Sequence, residues 1–78
     1  MQTTATTATE RVAATVRAEL ARRRISQIAV SERLEMSQAS VSRRLTGDTP
    51  WDINELAAIA DLIGVPLALL VADAGPTS

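Results

Sequence analysis

Apolar residues recur along this chain at helical spacing, and polar or turn-forming residues cut the pattern into about five short segments. Val12, Val16 and Leu20 stand four apart in the first, Val30 and Leu34 in the second, Val41 and Leu45 in the third. Each segment therefore predicts a helix with one apolar stripe. The start and stop signals agree. Thr7 and Glu10 have the spacing of a capping box for the first helix, which ends near Arg22-Arg23-Arg24. Ser37 reads as the N-cap of the third helix and Gly47 as its stop, with Met36 placed to plug the corner between the second and third. Asp52 and Glu55 form a second capping box, with Trp51 before the cap and Leu56 at the fourth helical position as a hydrophobic staple. That fourth helix runs to about Ile63, Gly64 ends it, and Pro66 opens the fifth. Ile53, Leu56, Ala57, Ala60 and Ile63 are expected to face the core, joined by Ile59, Leu67 and Leu70.

The third helix carries the most informative polar face. Off its apolar stripe stand Gln38, Ala39, Ser40, Ser42, Arg43, Arg44 and Thr46, with no acidic residue among them. A solvated helix face normally mixes both charge signs. Two short helices joined by a tight turn, the second bearing side chains able to reach base edges, predict a sequence-specific DNA-binding protein.

At this point the chain resembles the helix-turn-helix domains of the phage repressor and Cro type, the Xre-like family, over roughly residues 10–73. The resemblance aligns Gln27 with the start of the family's second helix, Val30 and Leu34 with its buried positions, and Ser37-Gln38-Ala39-Ser40-Val41-Ser42-Arg43 with its recognition helix. Ala60, Ile63-Gly64-Val65 and Leu70 match landmarks of its fourth and fifth helices. Three positions depart from the pattern: Ser31 where a small Ala is usual, Glu35 where the turn usually has Gly, and Arg44 where an apolar residue is common. Leu45 is expected to take over the packing that Arg44 cannot provide.

The resemblance implies a lambda-repressor-like, all-α bundle whose recognition helix, about residues 38–46, enters the major groove. It implies base contacts from Gln38, Ala39 and Arg43. Gln38 can bridge adenine N6 and N7, Arg43 can fork onto guanine O6 and N7, and Ala39 can meet a thymine methyl. Gln27 is expected on phosphate, bracing Gln38, while Ser37, Ser40, Ser42, Arg44 and Thr46 hold the DNA backbone. For Arg44 a surface ion pair is the competing reading. Helix N-terminal amides around residues 27 and 38 add anion sites.

Composition narrows the classes. Seventy-eight residues make one small domain with little stability to spare. There is no cysteine and no histidine, which removes disulfides, the usual zinc ligands and most general-base or nucleophile chemistry, so an enzyme is not expected and no cofactor or small-molecule ligand is implied. No apolar run approaches the ~20 residues of a membrane span, and the N-terminus lacks the basic and apolar regions of a signal peptide. A cytoplasmic protein is expected.

The net charge of −1 argues against DNA binding only until it is resolved along the chain. All eight basic residues lie between residues 11 and 47, against Glu19, Glu32 and Glu35, a local net of +5. Residues 48–78 hold five acids and no base. Local charge decides phosphate attraction. Every base is Arg, which suits bidentate recognition of guanine or phosphate and equally suits a GC-rich genome. The cluster Arg22-Arg23-Arg24 admits two readings: complementing the C-terminal dipole of the first helix, or phosphate contact from Arg23 and Arg24. Arg11 and Arg17 read as ordinary surface residues. Trp51, the only aromatic, reads as core packing, with contact to DNA or a partner as the alternative.

Residues 1–8 are a Thr/Ala-rich tract read as a disordered tail, residues 9–73 as the helix-turn-helix domain, and residues 74–78 as a flexible tail or linker stub. Ala58 and Leu62 share a stripe that Leu69 extends, at positions the family often keeps polar. The expectation is a homodimer interface through the fourth and fifth helices, against a merely apolar monomer surface. Together these readings predict a transcriptional regulator of repressor or Cro type, with a phage or prophage as one source, bound to a double-stranded operator. The alternatives are an antitoxin-type regulator, the DNA-reading domain of a longer repressor, recombinase or excision factor, and a helical protein-interaction module.

Overall fold

A computed structural model of the protein describes residues 7–72, which form five helices and no strand: α1 Ala8–Arg22, α2 Gln27–Leu34, α3 Gln38–Thr46, α4 Ile53–Ile63 and α5 Leu67–Val71. Of the two expected tails, all but Thr7 and Ala8 lie outside the described residues, and Ala8 is already the first residue of α1. The all-α expectation holds.

Local chemistry explains the boundaries. Thr7 and Glu10 make the reciprocal capping box at α1, and Asp52 and Glu55 make the one at α4. Ser37 Oγ accepts from the Ser40 amide at 3.1 Å, and Ser26, a cap the sequence reading did not single out, accepts from Ala29 at 3.1 Å. Three helices end on a left-handed residue: Glu35 at φ 57°, Gly47 at φ 90° and Gly64 at φ 78°. Gly47 is additionally a close-approach site, since a Cβ there would stand 3.3 Å from Glu10 Cγ on α1. Pro66, expected within the first turn of α5, is its N-cap instead.

The centre of the core takes one residue from each helix: Val16, Val30, Val41, Ile59 and Leu70 are all fully buried. Around them α1 packs on α3 and α5, α2 on α3 and α4, and α4 on α5. Leu34 and Met36 pack against this cluster at the corner between α2 and α3. Ser31 is buried, and its hydroxyl donates to the Ile28 carbonyl at 2.9 Å, so the departure from Ala costs no unsatisfied group. Leu45 is buried as expected, and so is Trp51, which excludes the reading that Trp51 lies open to DNA. The Trp51 indole N–H has no hydrogen-bond partner among the described residues.

Two core expectations are corrected. Ile53 is 58% exposed and Ala57 is exposed. Ile53 is the first residue of α4, and Trp51 already fills the core at that end, while Ala57 falls one residue past Leu56 and off the Leu56–Ile59–Ala60 face.

Candidate nucleic-acid interface

The turn between α2 and α3 sets the site. Glu35 turns the chain through the left-handed region, and Ser37 then starts α3 with its side chain on the helix N-terminus. Because Val41 and Leu45 are buried, the helical period turns residues 38, 39, 42, 43 and 46 away from the core. Gln38, Ala39, Arg43 and Thr46 are exposed, and Ser40 and Ser42 are half-buried. The three expected base readers therefore share one open, acid-free helix face.

Arg43 is partly organised by its own helix. Its Nη2 donates to Ser40 Oγ at 3.3 Å, and Ser37 Oγ donates to the same hydroxyl at 3.1 Å. Thr46 Oγ1 donates to the Arg43 carbonyl at 3.0 Å. Gln27 is exposed at the first position of α2 and shares a shallow groove of about 370 Å³ with Leu20, Ile25, Leu45, Ser42 and Thr46. This puts Gln27 beside the Ser42–Thr46 edge of α3, and no hydrogen bond joins it to Gln38.

The arginines divide into two groups, a distinction invisible in a charge count. Arg23 pairs with Glu19, whose carboxylate is buried and also meets Arg22 at 3.3 Å. Arg33 pairs with Asp61 across α2 and α4. Arg44 Nε meets Glu55 Oε1 at 3.1 Å with both side chains largely buried, and its Nη1 donates to the Ser40 carbonyl at 3.1 Å. For Arg44 the ion pair, the competing reading, is the partner observed. Arg23, half of the expected Arg23–Arg24 contact, is likewise found in an ion pair. Arg17, read as an ordinary surface residue, donates from Nη1 to the Leu45 carbonyl at the end of α3.

Arg24 is exposed, at φ 59° just past α1, with no side-chain partner among the described residues. Arg24 and Arg43 are thus open to an anionic ligand, and Arg22, although it meets Glu19, keeps 67% of its side chain exposed. No carboxylate lies on α3. Sequence reasoning missed Glu19 and Arg17, because their partners are set by how α1 lies on α3 and by a buried carboxylate on an otherwise polar position. An Arg four residues after a Glu was the one available signal for the first.

Ala58 and Leu62 are half-buried, Leu62 packs against the core, and Leu69 is 38% exposed. The stripe expected at a dimer interface is therefore open mainly at Leu69. No helix among the described residues is long and apolar enough to cross a membrane.

Comparison with known proteins gives one assignment. The family model described as the BetR domain matches residues 6–77, nearly the whole chain and all five helices. No curated protein and no solved structure matches the chain. The protein belongs to the BetR domain family, a helical, helix-turn-helix-like domain, an assignment that points to a DNA-binding regulator.

Proposed function

We propose that the protein is a sequence-specific, double-stranded-DNA-binding transcriptional regulator of the repressor or Cro type, and not an enzyme. It acts by lying on an operator and excluding polymerase. The observation that carries this reading is the face of α3: Gln38, Ala39 and Arg43 stand open together, with no acid on the helix, between the Ser-capped N-termini of α2 and α3. A helix of this length fits the major groove, with its first residues and those one turn on at base edges.

Gln38 reads adenine, Arg43 reads guanine and Ala39 meets a thymine methyl. Gln27, Ser42 and Thr46 line one edge of the face and hold the backbone there, with Ser37 and Ser40 at the start of α3. Arg24, joined by Arg22, supplies phosphate charge from the end of α1. Two copies related by a two-fold axis through α4 and α5, with Leu69 the exposed member of the Ala58–Leu62–Leu69 set, would read a palindromic site. The reading places the protein in the cytoplasm with the DNA, and the Xre-like resemblance is compatible with a phage or prophage origin.

The exposed Ile53 and Leu69 favour one other reading, an apolar module that binds a protein partner. Salt separates the two. A DNA binder should lose roughly a hundredfold or more in affinity for duplex DNA between about 50 and 200 mM salt as counterions are released. An absence of duplex binding at low salt would reject the proposal in favour of the module.

A further inference from the structure

The recognition helix is held unevenly. It packs closely on α1 and α2, but no comparable helix-on-helix packing joins it to α4. Among the polar side chains of the described residues, one bridge spans the two helices. Arg44 leaves α3 with its Nη1 on the Ser40 carbonyl of its own helix and its Nε on Glu55 Oε1, both at 3.1 Å. Glu55 is itself fixed, because the same Oε1 accepts from the Asp52 amide at 3.0 Å in the α4 capping box. Only 20% of the Arg44 side chain and 15% of the Glu55 side chain are exposed. A planar guanidinium reaching two acceptors in fixed directions orients the groups it joins more tightly than a point charge does.

On the opposite side, Arg17 of α1 donates to the Leu45 carbonyl, one of the terminal carbonyls that the helix cannot satisfy internally. The C-terminal half of α3 is thus tied to α1 through its backbone and to α4 through Arg44. Arg43, the residue beside Arg44, projects from this same half.

We propose that Arg44, through Glu55, is a positioning residue that fixes the angle of the recognition helix and so determines sequence discrimination, without touching DNA. The inference rests on the DNA-reading function proposed above. It separates two roles that neighbouring arginines on one helix would otherwise share: Arg43 reads and Arg44 aims.

The test measures the affinity of the full chain for a preferred duplex and a scrambled one across a series of salt concentrations, for wild type, Arg44→Met and Glu55→Ala, with folding of each followed by circular dichroism. Arg44→Met keeps the side-chain stem and removes the guanidinium. Glu55→Ala removes the anchor but leaves Asp52 able to cap α4. The expected result is a roughly tenfold fall in the preferred-to-scrambled affinity ratio for both variants, with the slope of log affinity against log salt unchanged.

If Arg44 instead holds a phosphate, Arg44→Met weakens both duplexes equally and flattens the slope by about one. Glu55→Ala, which frees Arg44 and deletes a negative charge, then tightens binding to both. Either outcome overturns the positioning role while leaving DNA reading intact, as does an unchanged ratio in both variants. Wild type that fails to distinguish the two duplexes removes the DNA-reading function and the positioning role together. Should Arg44→Met not fold, Glu55→Ala decides alone, because a positioning role lowers its preferred-to-scrambled ratio whereas a phosphate role tightens both duplexes and leaves the ratio unchanged.

Discussion

Glu35 shows what one residue contributes to this fold. It occupies the left-handed region at φ 57° where the chain turns from α2 into α3, a conformation that costs a side chain with a Cβ roughly 1–2 kcal/mol. Glycine avoids that cost and gives part of it back through the greater freedom of its unfolded chain. Glu35→Gly is expected to raise stability by about 0.5–1 kcal/mol, seen as a melting temperature higher by a few degrees. A lower melting temperature would mean that the Glu35 side chain stabilises the turn in some other way. On α3, Arg43→Ala should cost ~1–3 kcal/mol on the preferred duplex and relax discrimination at a single base pair, which binding to a panel of single-base-pair variants would reveal. Equal losses on every duplex would make Arg43 a phosphate contact. The strained position was legible in the sequence, as a Glu where the turn of similar domains has Gly. The partners of Arg17 and Arg44 were not, since each bond depends on a tertiary placement that no local spacing encodes, whereas the Arg23–Glu19 pair had a local signal in its four-residue spacing.

Among the elements, the ones that were easiest to foresee are those whose ends carry their own chemistry. Both capping boxes and the glycine stops at Gly47 and Gly64 depend on contacts within a few residues, and all four are found. The burial of α4 was harder to read, because an apolar residue at either end of a short helix can face the core or overhang it. Ile53 overhangs, since Trp51 occupies the core beside it. Gly47 joins element to element: it ends α3 at φ 90° and lets that end approach Glu10 on α1. Gly47→Ala is expected to destabilise the domain by about 1–2 kcal/mol, measured by denaturant unfolding, through the strained backbone and the crowded Cβ. A change of a few tenths would mean that α1 yields at its N-terminal turn. At α4 and α5, Leu69→Asp tests the dimer more cleanly than a change at Leu62, which also packs on its own core. Sedimentation should show wild type associating at high concentration and Leu69→Asp remaining monomeric. Monomer for both would remove the dimer.

For the whole molecule, a net charge of −1 conceals how the charges are used. Glu19 and Glu55 are held in largely buried ion pairs with Arg23 and Arg44, and Asp61 pairs with Arg33 on the surface between α2 and α4. The cations left open are few and lie on α1, its C-terminal turn and α3, so attraction to DNA rests on position more than on total charge. The sequence division at Gly47 located the basic half correctly. It overcounted the arginines free to bind, because spending a cation on a buried carboxylate leaves no trace in composition. The bundle and its reading face were legible because both follow from the 3.6-residue period. The measurement that bears most directly on the central claim is selection of bound sequences from a random duplex library at near-physiological salt, with the Gln38→Ala, Arg43→Ala double variant run beside wild type. Wild type is expected to select a defined motif, palindromic with half-sites about one helical turn apart, and the variant to lose it. No enrichment by wild type, or the same motif from both proteins, would rule out base reading by the α3 face.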